Sequence, residues 1–181
     1  MANAELTVCH GPAGAPAVAE VESLYFAAFS AKPLCESRAT AAQFSRLYGF
    51  LVSRDDLVSV FTRAPHSGEL AGLAYGHPWR WAEQTDDWAA QLRDRLGDAA
   101  SGLEGRFAVY LLAVHPDYRG HGLGRQLLRS LLEAAGNDRA WLITRDQPTA
   151  AMALYTAEGW RPVGHGPDTP NKRPGLVLTA G

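Results

Sequence analysis

The sequence predicts an α/β fold, a central mixed β-sheet flanked by helices, within one domain spanning 1–181. Two observations predict it. First, "RFAVYLLAV" (106–114) and "AWLITR" (140–145) are nearly continuous apolar runs of the kind found in strands covered on both faces. Between them lies the strongest helical periodicity in the chain, about 122–136, with Leu123, Leu127, Leu128, Leu131, Leu132 and Ala135 on one stripe. A right-handed crossover through that helix makes the two strands parallel neighbours. Second, "LVSVFTRA" (57–64) and "ELAGLAYGH" (69–77) flank "APHSGE" (64–69), whose Pro and Gly suit a hairpin turn.

The remaining elements follow in order. "ELTVCH" (5–10) reads as a first strand, and "GPAGAP" (11–16) as a short loop. The segment 17–30 spaces Val18, Val21, Leu24, Tyr25 and Phe29 as a helix does, and 39–54 reads as a second helix weakened by Gly49. A short helix is expected over 85–98, with Thr85 as its N-cap and Asp86 and Asp87 at the positive end of its dipole. Another is expected over 148–159, with Pro148 in its first turn and Gly159 just past its end. "WRPVGH" and "GLVLTA" read as closing strands. The stretch 76–106 is long for a link between two strands, since loops beyond about 12–15 residues usually carry structure or function of their own. It is expected to hold an inserted helix.

Composition narrows the class of function. A chain with 46% hydrophobic and 20% charged residues has the balance of a soluble globular protein. Its net charge of −2 excludes a generally basic nucleic-acid binder. No apolar run approaches the roughly 18–20 residues of a membrane span, so no membrane partner is expected. The two cysteines, Cys9 and Cys35, form neither a disulfide framework nor a zinc cluster and read as ordinary thiols. The first residues lack the basic and apolar regions of a secretory signal. A cytoplasmic location is the expectation, and no metal is implied.

The chemistry concentrates in "HPDYRGHGLG" (115–124), where Gly120, Gly122 and Gly124 fall between a strand and a helix. Glycine is unfavourable in regular structure, so this clustering asks for a reason. Strand, glycine-rich turn, helix is a recurring anion site. The first helical amides lack internal partners, and glycines let the preceding N–H groups converge on one anion. A P-loop is excluded, because it needs Gly-Lys-Ser/Thr and the only lysines are Lys32 and Lys172. A dinucleotide fingerprint is excluded by the spacing and by the intervening "HPDYR". The pattern met is R-x-x-G-x-G, by Arg119, Gly122 and Gly124.

With "LLAVHPDYRG" ahead of it, this segment resembles the coenzyme A-binding motif of the GNAT superfamily of N-acyltransferases. The resemblance implies the family's fold and acetyl-CoA as co-substrate. It implies that the main chain of Arg119, Gly120, His121, Gly122, Leu123, Gly124 and Arg125 holds the diphosphate. It also implies that the backbone of Leu112, Ala113 and Val114 takes the pantetheine arm. A second segment, "ALYTAEGW" (153–160), resembles the family's A-x-x-L-Y-x-x-x-G-F/W pattern through Ala151, Leu154, Tyr155, Gly159 and Trp160. One departure stands out. The family often has an asparagine, bonding the pantetheine, where this chain has Pro148, which has no side-chain donor and no N–H. Gln147, Thr149 or neither could supply that contact.

Acyl transfer to an amine needs a neutral nucleophile, a donor to the oxyanion and a proton for the departing thiolate. The resemblance implies Tyr155 as the general acid. A phenol of pKa ~10 can donate to a thiolate whose acid has pKa ~8.5 within a hydrogen bond. A backbone N–H near Val114 would serve the oxyanion. No acid lies within 107–114, so the base is sought elsewhere. His77 is the candidate side chain, as an imidazole at a strand end, ahead of Tyr110, His115, Asp117 and Glu20, and a water relay stands level with it. In the insert, Trp79 and Trp81, with Trp88 and nearby acids, either receive a cationic amine or pin the insert to the domain. The acceptor is expected to be the primary amine of a small molecule. A protein lysine or N-terminus remains an alternative, as does a non-catalytic acyl-CoA-binding module, and a homodimer stays open.

Overall fold

The computed structural model describes residues 5–181. The strands are β1 (Thr7–His10), β2 (Val58–Arg63), β3 (Leu70–Pro78), β4 (Phe107–Val114), β5 (Ala140–Arg145), β6 (Arg161–Asp168) and β7 (Pro174–Ala180). They form one mixed sheet in the order β1-β2-β3-β4-β5-β7-β6. The helices are α1 (Val18–Phe29), α2 (Arg38–Leu51), α3 (Asp87–Leu96), α4 (Leu123–Ala135) and α5 (Ala150–Ala157). The chain divides into two compact units: one takes in the chain up to His77 with Leu111–Ala135, the other Pro78–Tyr110 with Gly136–Gly181.

In the first unit β1, β2 and β3 pair antiparallel, with Val8 opposite Val60 and Val60 opposite Ala74. The hairpin turn closes through the Ala64 N–H, which donates to Glu69 O at 2.8 Å. At the hairpin end of β3 the chain leaving β4 lies beside it, the His115 N–H donating to Ala71 O at 2.9 Å. The leucine stripe of α4 is spent as its period requires: Leu123, Leu127, Leu128 and Leu131 are buried. Gly72 sets how closely α4 lies on β3, because a Cβ there would come within 2.7 Å of Leu127 Cδ1 and 3.3 Å of Leu123 Cδ2. Helices α1 and α2 pack together around Tyr25, whose ring stacks on Phe44 at 4.8 Å and whose hydroxyl donates to Glu36. Tyr48 is fully buried and donates its hydroxyl to Pro16 O at 2.8 Å.

In the second unit β4 and β5 pair in parallel, Phe107 opposite Ala140 and Ala108 opposite Trp141, as the crossover predicts. The other edge of β5 pairs with β7 along its whole length, from Ala140↔Ala180 to Arg145↔Gly175. The insert folds into two 3₁₀ turns (Trp81–Glu83 and Gly97–Leu103) on either side of α3. It packs on the sheet through Trp79, Leu92, Leu96, Leu103, Trp141 and Val177.

Two helix starts differ from expectation. Thr85 does not cap α3; Asp86 does, accepting the Ala89 N–H at 2.8 Å with extended dihedrals of its own. Pro148 lies outside α5, because Thr149 caps that helix by accepting the Met152 N–H at 3.1 Å. Each displacement is one residue or two, and in each case an oxygen able to reach the third amide on decides the start. Cys9 and Cys35 carry free thiols. Among the described residues no helix is long and apolar enough to cross a membrane.

Gly72→Val would overpack the α4–β3 contact, and a cost of about 1–3 kcal/mol is expected. Thermal melting should show a fall of several degrees, whereas an unchanged melting temperature would show that the contact has slack.

Candidate functional site

The loop after β4 is built to present amides. Gly120 and Gly122 have φ of +79° and +78°, a left-handed conformation that costs an L-residue with a Cβ about 1–2 kcal/mol. A Cβ on either would meet no protein atom within 4 Å. Packing therefore does not demand glycine at these two positions; the backbone turn does, and the space above it is open to an anion. Gly124 differs, lying in the first turn of α4. The first intrahelical bond runs from the Gln126 N–H to Gly122 O at 3.1 Å. Among the described residues, the N–H groups of Gly120, His121, Gly122, Leu123 and Gly124 donate to no main-chain carbonyl. These are the amides that a diphosphate at a helix N-terminus would use.

Arg119 plays a different part from the one the motif implied. Its own N–H is spent on Pro116 O at 3.2 Å, closing the 3₁₀ turn Pro116–Tyr118. Its guanidinium donates through Nε to Val114 O at 3.1 Å and through Nη2 to Ala28 O at 2.5 Å. Ala28 O belongs to the last turn of α1, where unshared carbonyls and the negative end of the dipole favour a cation. Arg119 thus ties the loop to the end of β4 and to α1. This role was not visible in the motif, because it depends on where α1 ends.

The backbone expected to take a pantetheine arm lies on the last residues of β4. Leu112 and Val114 are half-buried and Ala113 is buried. The His115 N–H faces β3, and successive strand residues turn their amides to opposite edges, so the Val114 N–H faces away from β3.

Tyr155 is held in the second unit by the way α5 ends. The Trp160 N–H donates to Tyr155 O at 3.0 Å and the Gly159 N–H to Thr156 O at 3.1 Å, with Gly159 at φ +79°. This is a Schellman motif, in which only a residue tolerant of positive φ can follow the C-cap. It brings the Tyr155 and Trp160 rings to 5.7 Å between centroids. The Y-x-x-x-G-W spacing is therefore a helix-stop signal that also orients the tyrosine. Tyr155 is 6% exposed, and burial pushes its phenol above the usual tyrosine range. The hydroxyl keeps its proton at neutral pH.

The other candidates fall as follows. His77 lies on β3 and is buried, 1% exposed. The Glu20 carboxylate is engaged by Arg63 Nη1 at 2.5 Å and by the Ala17 N–H at 2.9 Å, and these bonds hold it below the usual carboxylate range. A carboxylate so stabilised is a poor proton acceptor. Nδ1 of His115 faces Asp117 Oδ2 at 3.7 Å, while Tyr110 is a half-buried residue of β4 packed against the insert's core.

Trp79 and Trp81 do not form an open aromatic face for a cationic amine. Trp79 is 1% exposed, edge-on to Trp141 at 4.9 Å and Trp81 at 5.1 Å. Trp81 donates its backbone N–H to Glu104 Oε2 at 2.8 Å and its indole N–H to Ala100 O at 3.0 Å. The Arg93 guanidinium lies over its ring at 4.5 Å, where a cation would otherwise sit. The tryptophans fasten the insert, the alternative their sequence left open.

The acetyltransferase (GNAT) family model matches residues 18–160. The chain is 41% identical over 58 residues to the N-alpha-acetyltransferase RimI of Mycobacterium tuberculosis, a match taking in 32% of this chain and 37% of that protein. It is 32% identical over 100 residues to the ribosomal protein bS18-alanine N-acetyltransferase of Escherichia coli K12, covering 46% of this chain and 66% of that protein. In both cases the match spans less than two thirds of the relative. Among solved structures, PH1933 from Pyrococcus horikoshii OT3 is similar at a TM-score of 0.65 and 17% identity, over 97% of this chain and 98% of that one. Arabidopsis thaliana NAA60 in complex with acetyl-CoA is similar at 0.62 and 16%, over 97% of each chain. At such identities the structural likeness speaks for the fold.

Gly122→Ala separates the two demands on the loop. The strained φ should cost about 1–2 kcal/mol, a melting shift of roughly 2–8 °C. Coenzyme A affinity, read by calorimetric titration, should fall at least tenfold. Unchanged affinity would mean that the loop does not hold the diphosphate.

Proposed function

Since this chain belongs to the acetyltransferase (GNAT) family, we propose that it is an acyl-CoA-dependent N-acetyltransferase that moves an acetyl group from acetyl-CoA to a primary amine. The observation that carries this reading is the row of unshared amides from Gly120 to Gly124, opened by two left-handed glycines. Acetyl-CoA brings the activated thioester; the chain's own residues bind, orient and move protons. The loop amides take the diphosphate, and the backbone of Leu112, Ala113 and Val114 takes the pantetheine arm as an added strand would. The outward amide of Val114 suits an oxyanion donor.

Tyr155 is the proton donor to the leaving sulfur. Its burial supports this role, since a buried phenol stays protonated and has no bulk water competing for its proton. His77 is the candidate base for the acceptor nitrogen. Two free thiols, Cys9 and Cys35, fit the reducing cytoplasm as its setting.

For the acceptor, the names of the relatives favour an α-amine at a polypeptide N-terminus over the small-molecule amine that the sequence put first. A panel of short peptides with free N-termini, lysine peptides blocked at the N-terminus and small polyamines, read by release of free thiol, decides between them. Turnover confined to the small amines would overturn the peptide reading. Binding of coenzyme A with no turnover of any amine would leave a binding module.

Two variants test the proton carriers. Tyr155→Phe should lower kcat by about 10²–10⁴-fold with little change in KM, because the lost proton matters only as the thiolate leaves. A kcat within twofold of wild type would remove Tyr155 from the chemistry. His77→Gln should abolish the acid limb of the kcat/KM–pH profile if the imidazole takes the amine's proton. A limb that persists at the same pH assigns the task to water.

A further inference from the structure

Within the first unit, α1 and α2 leave a crevice of about 250 Å³ between them, lined by Glu22, Ser23, Phe26, Ala27, Arg38 and Ala41. The α1 residues that face the core are Val21, Leu24, Tyr25 and Ala28, so the crevice takes the flank of the helix that the core leaves free. Two opposite charges line it. The Glu22 carboxylate is positioned by buried Ser45, whose hydroxyl donates to Oε2 at 3.1 Å. Its Oε1 has no hydrogen-bond partner among the described residues. The Arg38 guanidinium lies over the Phe26 ring at 4.1 Å. That contact uses the flat face of the cation and leaves the N–H fork in its plane to donate. Among the described residues the fork has neither a hydrogen bond nor an ion pair. Opposite charges elsewhere in this unit pair directly, Glu20 with Arg63 and Asp56 with Arg54. Glu22 and Arg38 share a crevice and do not pair with each other.

We infer that this crevice binds a small zwitterion, an apolar α-amino acid with its ammonium on Glu22 and its carboxylate on Arg38. Charge selects the class. An anion would meet the Glu22 carboxylate, a cation would meet the Arg38 guanidinium, and a neutral ligand would leave both without a partner. A ligand carrying both signs satisfies both, and the planar fork of an arginine matches a carboxylate in particular. The remaining lining selects the side chain. Phe26, Ala27 and Ala41 are apolar, and the Ser23 hydroxyl is already spent on Ala19 O at 3.0 Å. Size sets the limit: the volume lies below the roughly 300–1,000 Å³ of pockets that enclose drug-sized ligands, so the occupant is one small molecule. The crevice draws no residue from the amide loop, from Leu112, Ala113 and Val114 or from Tyr155. It is therefore a site separate from that of the acyl carrier.

The test titrates the full chain with glycine, L-alanine, L-valine and L-leucine and follows backbone amide shifts by NMR, in wild type, Glu22→Gln and Arg38→Gln. At least one of the four should bind with a millimolar Kd or tighter and shift amides of α1 and α2. Its methyl ester lacks the carboxylate and its N-acetyl form lacks the ammonium, and each should bind about tenfold more weakly. Each variant should weaken the parent amino acid about five- to tenfold. Glu22→Gln keeps an acceptor for Ser45, and both variants should take coenzyme A as wild type does. Saturating coenzyme A should leave the amino acid in place. The inference is overturned if none of the four binds at about 10 mM, if the ester or the N-acetyl form binds as well as the parent, or if either variant binds it as wild type does. Displacement by coenzyme A, or shifts gathered in the amide loop instead of α1 and α2, would overturn it too, by moving the ligand to the acyl carrier's site.

Discussion

An α-helix cannot satisfy its own first amides, and at the start of α4, among the described residues, the N–H groups of Leu123 and Gly124 donate to no main-chain carbonyl. Other helices in the molecule are closed by a side-chain oxygen: Ser37 for α2, Asp86 for α3 and Thr149 for α5. At α4 the positions where such a cap would stand are taken by Gly120-His121-Gly122, and the two glycines turn the backbone through positive φ. A row of donors with no acceptor is stable only where something else holds the backbone in place. Arg119 does that, bridging the last carbonyl of β4 and a carbonyl at the end of α1. Loop, strand and helix are thereby fixed to one another.

The second unit uses the complementary device at the other end of a helix. The Schellman stop of α5 satisfies carbonyls rather than amides, and its signature residues, Tyr155, Gly159 and Trp160, are also those of the family pattern. One short motif terminates the helix, packs two rings and fixes a buried phenol. Burial acts on that phenol in two ways. It makes the hydroxyl harder to ionise, and it keeps water from substituting for it.

Beside these two sites the insert is a matter of packing. Trp79 is ringed by Trp81, Trp88 and Trp141 in edge-to-face arrangements, which suit the positive edge and negative face of an indole. Arg93 covers the face of Trp81. Arg95 reaches Gly166 O and Asp168 from α3, tying the inserted helix to β6. A cluster of aromatics and charges in a long loop can mean either a ligand or a fastener. Which it is depends on whether the rings already have partners, and that is a property of the folded chain.

Periodicity and composition alone identified the elements of the sheet, the parallel β4–α4–β5 crossover and the glycine loop, because these depend on local rules: a stripe every 3.6 residues, apolar runs for covered strands, glycine where φ is positive. The ends of α3 and α5 slipped by a residue or two, since Thr85 and Pro148 are as plausible by propensity as the Asp86 and Thr149 that cap. The partners of side chains were beyond the sequence altogether. That the Arg119 guanidinium serves carbonyls and that Trp79 is buried among other tryptophans both follow from groups distant in the chain. Hydrogen bonds and burial are made in space, and only the tertiary structure decides which polar group is already satisfied and which still waits for a ligand.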